Sequence, residues 1–288
     1  MLTQTNTLSQ SDVEFYEREG YLLLKGILPP EVLSASRLIL DAWVRQTTAL
    51  WKVQGLLTHD FQPEPFETGL LQAWKAAGQP KYIRSPRRDL VCSALYELLK
   101  HPAFLRVASS LLGTDEIASH GIFNARPKLP EQKFTDTPWH QDAQYYHKED
   151  RQIHTLSMWY PVVPVDAESS CLAVSPWHRE SRNEIFEIDE NVDNTGFLGI
   201  RRSDSDQLES IPVPMEPGDL LVFHQLTPHR AMPNLRQRIR WSMDFRYLPA
   251  DQASSRALQQ GFIAASPSNP DRKDSLDDWF KKWHVAVW

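Results

Sequence analysis

GDLLVFHQLTPHRAMPN (residues 218–234) and RQRIRWSMDFRY (236–247) decide the fold. In the first stretch a glycine-aspartate turn leads into a short apolar run that ends at His224, and a Thr-Pro turn then brings in His229. In the second, Trp241, Met243, Phe245 and Tyr247 alternate with Arg240, Ser242, Asp244 and Arg246. That period of two is the signature of a strand. A strand with one charged face is unusual in a core, so this one is expected to line a site. The same rhythm of short apolar stretches between turn residues runs upstream, in IASHGIFNA (117–125), HTLSMWYPVV (154–163) and CLAVSP (171–176). Such spacing belongs to an antiparallel barrel or sandwich.

Before Gly113 the chain reads as helical. SQSDVEFYERE (9–19) starts with Ser11 or Asp12 as a cap and stops at Gly20. YLLLKGIL (21–28) reads as a buried strand, broken by Pro29-Pro30. Residues 31–51 carry a strong helical period through Leu33, Leu38, Leu40, Trp43 and Val44. Residues 89–112 read as two helices divided at His101-Pro102. The expected plan is one domain spanning 1–288: a helical part over about 10–112, a β core over about 114–250 and a helical tail over about 251–288. In that tail Trp279, Phe280 and Trp283 sit at helical spacing, suited to docking on the core, covering the site or contacting a second subunit of a homo-oligomer. The polar run at 190–207 reads as a long loop, a lid in kind, that buries little surface.

Composition narrows the function. Apolar residues make up 41% and charged residues 24%, the balance of an ordinary globular protein. The net charge of -6 is spread along the chain, which argues against nucleic acid as a partner. No apolar run is long enough to span a membrane. The N-terminus lacks signal-peptide features, and two isolated cysteines suit a reducing compartment, so a cytoplasmic location is expected.

The chemistry centres on TPWHQDAQYYH (137–147). If this stretch is a strand, His140 and Asp142 share a face and Gln141 turns away. One imidazole and one carboxylate are two corners of the facial triad used by non-haem Fe(II). The third is expected from a distant strand, and His229 is preferred to His224 because it sits where a strand gives way to a turn. Arg240, with Ser242 two residues on, is suited to gripping the far carboxylate of 2-oxoglutarate.

These residues resemble the phytanoyl-CoA dioxygenase family of Fe(II)- and 2-oxoglutarate-dependent oxygenases. The resemblance rests on FYEREGYLLLKGILPPEVL, WHQD, LAVSPWHR, with its altered turn at Ser175 to His178, and PGDLLVFHQLTPHRAMPN with its following arginine. It implies a double-stranded β-helix, or jelly roll, with flanking helices. It implies that His140, Asp142 and His229 bind iron and that Arg240 binds 2-oxoglutarate. Arg126, in FNARPK, stands where the family carries a basic residue and is assigned with Ser242 to the 2-oxoglutarate site. The implied reaction consumes 2-oxoglutarate and O2, releases succinate and CO2, and oxidises a small-molecule substrate. The carboxylate at Asp142, replaced by a small residue in related halogenases, favours hydroxylation. Asn124, Tyr145, Tyr146 and Trp159 are candidates for the substrate pocket, and Arg126, Arg201 and Arg202 are cations for an anionic substrate or plain surface charge. Two other classes fit parts of the pattern: a cupin-like binding or sensor protein holding a metal without oxidation, and a zinc hydrolase using the same three ligands.

Overall fold

The computed structural model describes residues 8–61, 64–80, 83, 87–130, 137–176, 185–190 and 197–284. Helix α1 (Gln10–Glu19) is capped by Ser9, whose hydroxyl accepts from the Asp12 N–H while the Asp12 carboxylate takes the Ser9 N–H. The cap thus lies ahead of the expected Ser11 or Asp12, and Asp12, three positions on from Ser9, completes the box. Gly20 closes the helix at φ 77°, a conformation that suits glycine. Strand β1 (Tyr21–Leu24) follows, then α2 (Pro30–Val53), α3 (Gly69–Ala76), α4 (Ser93–Leu99) and α5 (Pro102–Leu112). Leu40, Trp43 and Val44 of α2 are buried as expected, whereas Leu38 is 70% exposed. At about 100° per residue Leu38 falls on the opposite side of the helix from Trp43. Leu38→Gln should therefore change unfolding stability by less than about 0.5 kcal/mol in urea titrations.

The remaining strands are β2 (Ile117–Ser119), β3 (Asn124–Lys128), β4 (Leu156–Pro161), β5 (Leu172–Val174), β6 (Ile188–Asp189) and β7 (Gly199–Ile200), followed after short helix α6 (Arg202–Ser205) by β8 (Ile211–Val213), β9 (Leu220–His224), β10 (His229–Ala231), β11 (Arg240–Pro249) and β12 (Phe262–Ala265), with helix α7 (Leu276–Trp283) last. They form a large antiparallel sheet in the order β1-β9-β4-β11-β2-β12, with β3 also on β11, a small sheet in the order β10-β5-β8, and a separate β6-β7 pair. β12 pairs with β2, so the segment after 250 adds a strand to the sheet as well as a helix. Its Phe262–Ala265 run is apolar enough to finish that edge.

The alternation in β11 sorts its side chains between two layers. Trp241, Met243, Phe245 and Tyr247 join Leu156, Met158, Tyr160 and the helices in one core. Trp241 meets Trp43 edge-on at 6.0 Å, and Phe245 meets Phe104 at 5.2 Å. On the other face Trp159, Leu221 and Phe223 pack on Leu172, Val174 and Val213 of the small sheet. The two sheets therefore face one another as an open jelly roll with helices outside, and no closed barrel forms. All ten residues of β11 are buried, since helices cover one face and the small sheet the other. Trp279, Phe280 and Trp283 of α7 are buried in the chain's own core, which consumes the apolar face considered for a subunit contact.

Candidate metal centre

The register of the large sheet builds the site. Ser242 lies opposite Arg126, and Asp244 lies between Asn124 of β3 and Trp159 of β4. Arg246 lies opposite Ser157. Directly paired residues share a face, so one polar surface runs across three strands towards the small sheet.

His140 and His229 meet through two backbone hydrogen bonds of 3.0 Å, which prolong the pairing at the start of β10. Asp142 does not continue a strand as expected. It opens a 3₁₀ turn (Asp142–Tyr145), and that turn rather than a pleat swings the carboxylate beside His140. Gln141 is fully buried and staples the loop: its Nε2 donates to the Leu226 carbonyl at 2.6 Å and its Oε1 accepts from the Phe186 N–H at 3.0 Å. Among the described residues, His140, Asp142 and His229 form the one His/Cys/Asp/Glu group placed to hold a metal ion, with ligand atoms within 4.8 Å of one another. Asp142 Oδ1 stands 3.8 Å from His140 Nε2 and 3.9 Å from His229 Nε2. His224 sits elsewhere, 4.7 Å from the ring of His154.

Each ligand atom is aimed by its other end. His140 Nδ1 lies 2.8 Å from the Pro138 carbonyl and His229 Nδ1 lies 3.0 Å from that of Thr227. A carbonyl only accepts, so each Nδ1 carries the proton and each Nε2 presents a lone pair inward. Burial, reinforced by His229 and opposed by Asp142, lowers the His140 pKa to about 3, and burial also lowers His229 against the pull of Asp142. Both rings are thus neutral. Burial alone would raise the pKa of Asp142, but Arg246, the two imidazoles and the Ser157 hydroxyl outweigh it and hold the carboxyl well below its usual range. Asp142 Oδ2 accepts from Arg246 at 2.9 and 3.2 Å and from Ser157, leaving Oδ1 for the triad. Two neutral imidazoles and one ionised carboxylate, buried and convergent, are the donor set that Fe(II) takes in a facial triad.

Two cavities meet here. The smaller is lined by His140, His229, Trp159 and Arg240 among others, and the larger, much roomier, by Asp142, Tyr145, Tyr146, Asn124 and Phe197. Arg126 and Arg246 line both. Arg240, 2% exposed, lies 5.6 Å from the Trp159 ring and donates to the Ser170 carbonyl and the Ser242 hydroxyl. Arg126 donates to Asp244 at 3.0 Å. Trp159 thus faces the smaller cavity, whereas Asn124, Tyr145 and Tyr146 line the larger one. Arg201 is spent on surface pairs with Glu187 and Asp204, and Arg202 is exposed.

Of the expected loop, residues 191–196 lie outside the described residues, as do Trp177 and His178. The rest is better packed than its composition suggests. Ile200 is buried and its N–H donates to the Trp139 carbonyl at 2.7 Å, and the Tyr145 hydroxyl donates to the Leu198 carbonyl at 3.0 Å. Sequence reasoning assigned no role to Ser157, Asp244, Arg246 or Arg87. The charged alternation of β11 was the signal for two of them.

Residues 16–242 match the family model described as phytanoyl-CoA dioxygenase (PhyH). The chain is 26% identical over 273 residues to 1-deoxypentalenic acid 11-beta-hydroxylase of Streptomyces arenae, covering 91% of this chain and 86% of that protein. It is 26% identical over 248 residues to methylphosphonate hydroxylase of Gimesia maris, covering 84% and 81% respectively. Its fold is similar to that of EvdO2 from Micromonospora carbonacea var. aurantiaca, solved with 2-oxoglutarate, at a TM-score of 0.53 and 22% identity over 94% of this chain and 98% of that one. With the match spanning most of its length, the chain belongs to the phytanoyl-CoA dioxygenase family of Fe(II)- and 2-oxoglutarate-dependent oxygenases.

Proposed function

We propose that His140, Asp142 and His229 hold the Fe(II), that Arg240 and Ser242 grip the far carboxylate of 2-oxoglutarate in the smaller cavity with Arg126 beside it, and that the larger cavity takes a small organic substrate. The observation that carries this reading is the buried triad opening onto a cavity that contains a buried arginine. When bound, iron, 2-oxoglutarate and O2 supply the oxidation of a substrate C–H bond, with succinate and CO2 as co-products.

The chain's own residues set the stage for that reaction. The two carbonyl-anchored imidazoles and the Arg246-pinned carboxylate stay fixed, so little reorganisation is needed on metal binding. Trp159 underlies Arg240 and keeps water from its guanidinium, which strengthens a two-pronged contact with a carboxylate. Tyr145, edge-on to the His140 ring at 5.8 Å, and Tyr146 form a wall of the larger cavity. The free thiols of Cys92 and Cys171 support action in a reducing compartment such as the cytoplasm. Among the described residues no helix is long and apolar enough to cross a membrane.

The test is anaerobic addition of Fe(II) and 2-oxoglutarate, read by the visible charge-transfer absorption of their chelate, followed by succinate formation once oxygen is admitted. Zinc-supported turnover without oxygen would point instead to a hydrolase. Arg240→Lys keeps the charge but loses the planar fork. It should weaken 2-oxoglutarate by about tenfold or more while Fe(II) affinity moves by less than about twofold. An unchanged 2-oxoglutarate dependence removes Arg240 from this role.

A further inference from the structure

Among the described residues, the larger cavity carries more positive charge than its carboxylates neutralise. Asp244 receives Asn124 at 2.7 Å, Arg126 at 3.0 Å and Arg246, and Asp142 receives Arg246. Arg87 stands outside this network. Its Nε donates to two neutral oxygens, the Phe123 carbonyl and Asn124 Oδ1, each at 3.1 Å. Its side chain lines the cavity with Asp142 and His140. Burial, together with repulsion from Arg246 and Arg126, lowers its pKa to about 10, which leaves it fully charged. Among the described residues, the three guanidiniums of the larger cavity, Arg87, Arg126 and Arg246, answer to two carboxylates, Asp142 and Asp244. Fe(II) and dianionic 2-oxoglutarate cancel each other, so the surplus persists in the loaded site.

A partly buried cation without a counterion is costly unless a ligand supplies one. Apart from Thr137, the remaining wall is apolar or aromatic: Ile83, Ile122, Phe197 and the two tyrosines. Resting on the oxygenase reading above, we infer that Arg87 anchors the anionic head of the substrate, a carboxylate or phosphonate on an apolar body, and so directs that body towards the metal. Asn124 orients the anchor, because its Oδ1 holds the Arg87 Nε while its Nδ2 is tied to Asp244. The two outer nitrogens of the guanidinium are then the ones presented to a two-oxygen head, the geometry in which arginine surpasses lysine.

The experiment uses three probes of one chain length: octanoate, octylphosphonate and octanol. Each is titrated into the full-length protein loaded anaerobically with Fe(II) and 2-oxoglutarate. Binding is read from the change in the chelate absorption and, independently, from the shift in thermal unfolding. We expect at least about tenfold tighter binding of the anions than of octanol, the scale of one charge-assisted contact. Arg87→Gln should erase that preference and Arg87→Lys should keep part of it. The better of the two anions identifies the head group. An absence of preference in the unsubstituted protein overturns the inference. So does an equal loss for octanoate and octanol in Arg87→Gln, which is what a purely structural arginine produces. If the chelate absorption never forms, the oxygenase reading fails, and the thermal shifts still decide the role of Arg87.

Discussion

His229→Ala will weaken Fe(II) binding by more than about a hundredfold and reduce succinate formation to background. Removing a hydrogen-bonding partner behind a ligand already costs about ten- to a hundredfold in metal affinity, and here the ligand itself goes. His229 and His140 hold each other in place through backbone bonds, which the substitution leaves intact, so circular dichroism should stay that of the parent protein. His224→Ala is the control. That ring lies against His154, away from the triad, and its loss should shift metal affinity by less than about twofold. Equilibrium dialysis with Fe(II) under argon measures both variants. Wild-type affinity in His229→Ala, or its loss in His224→Ala, would put the third ligand elsewhere.

Arg246→Leu should lower unfolding stability by about 3–5 kcal/mol, because it strands a buried carboxylate pair. Arg246 is 4% exposed and bridges Asp142 and Asp244, which are themselves 4% and 2% exposed. Without it the two acids lose their main counterion, and Asp142 also loses the grip that leaves Oδ1 free for the triad. Ser157→Ala removes only a hydroxyl from the same carboxylate and should cost about 1 kcal/mol. Denaturant titration of both metal-free variants separates the two magnitudes. A loss below about 1 kcal/mol in Arg246→Leu would mean that Arg126 suffices for Asp244 and the Ser157 hydroxyl for Asp142.

Residue type and spacing group the candidate site residues where chemistry is local and stop where it depends on register. His140 and Asp142 are two apart, and His229 follows a turn next to a proline, so residue type and spacing were enough to group them. The reason given for the first pair was wrong, since a 3₁₀ turn and not a pleat brings Asp142 round. Arg246 was visible beside Asp244 on a charged face, but its other partner, Asp142, is brought to it from the 3₁₀ turn by the fold, which no spacing reveals. Arg87 lies in an irregular segment, and only the fold brings it against Asn124. The same limit explains Leu38. Helical spacing shows that apolar residues recur, but the direction of the core decides which of them it takes. The strands were the most legible elements because helices or the small sheet cover their apolar residues, whereas β12 was missed for lying beyond a polar stretch.

The full burial of β11 bears on how the chain finds its register. A slip of one residue against β3 and β4 would turn Arg240, Asp244 and Arg246 into the aromatic layer around Trp43 and Phe104, and Trp241 and Phe245 into the cavity. Each stranded guanidinium or carboxylate would cost several kcal/mol, so the misaligned sheet is rejected before it can consolidate. The residues that equip the site therefore also act as a checksum on the longest strand, and variants that bleach its charged face should refold with more off-register product even where their native state survives.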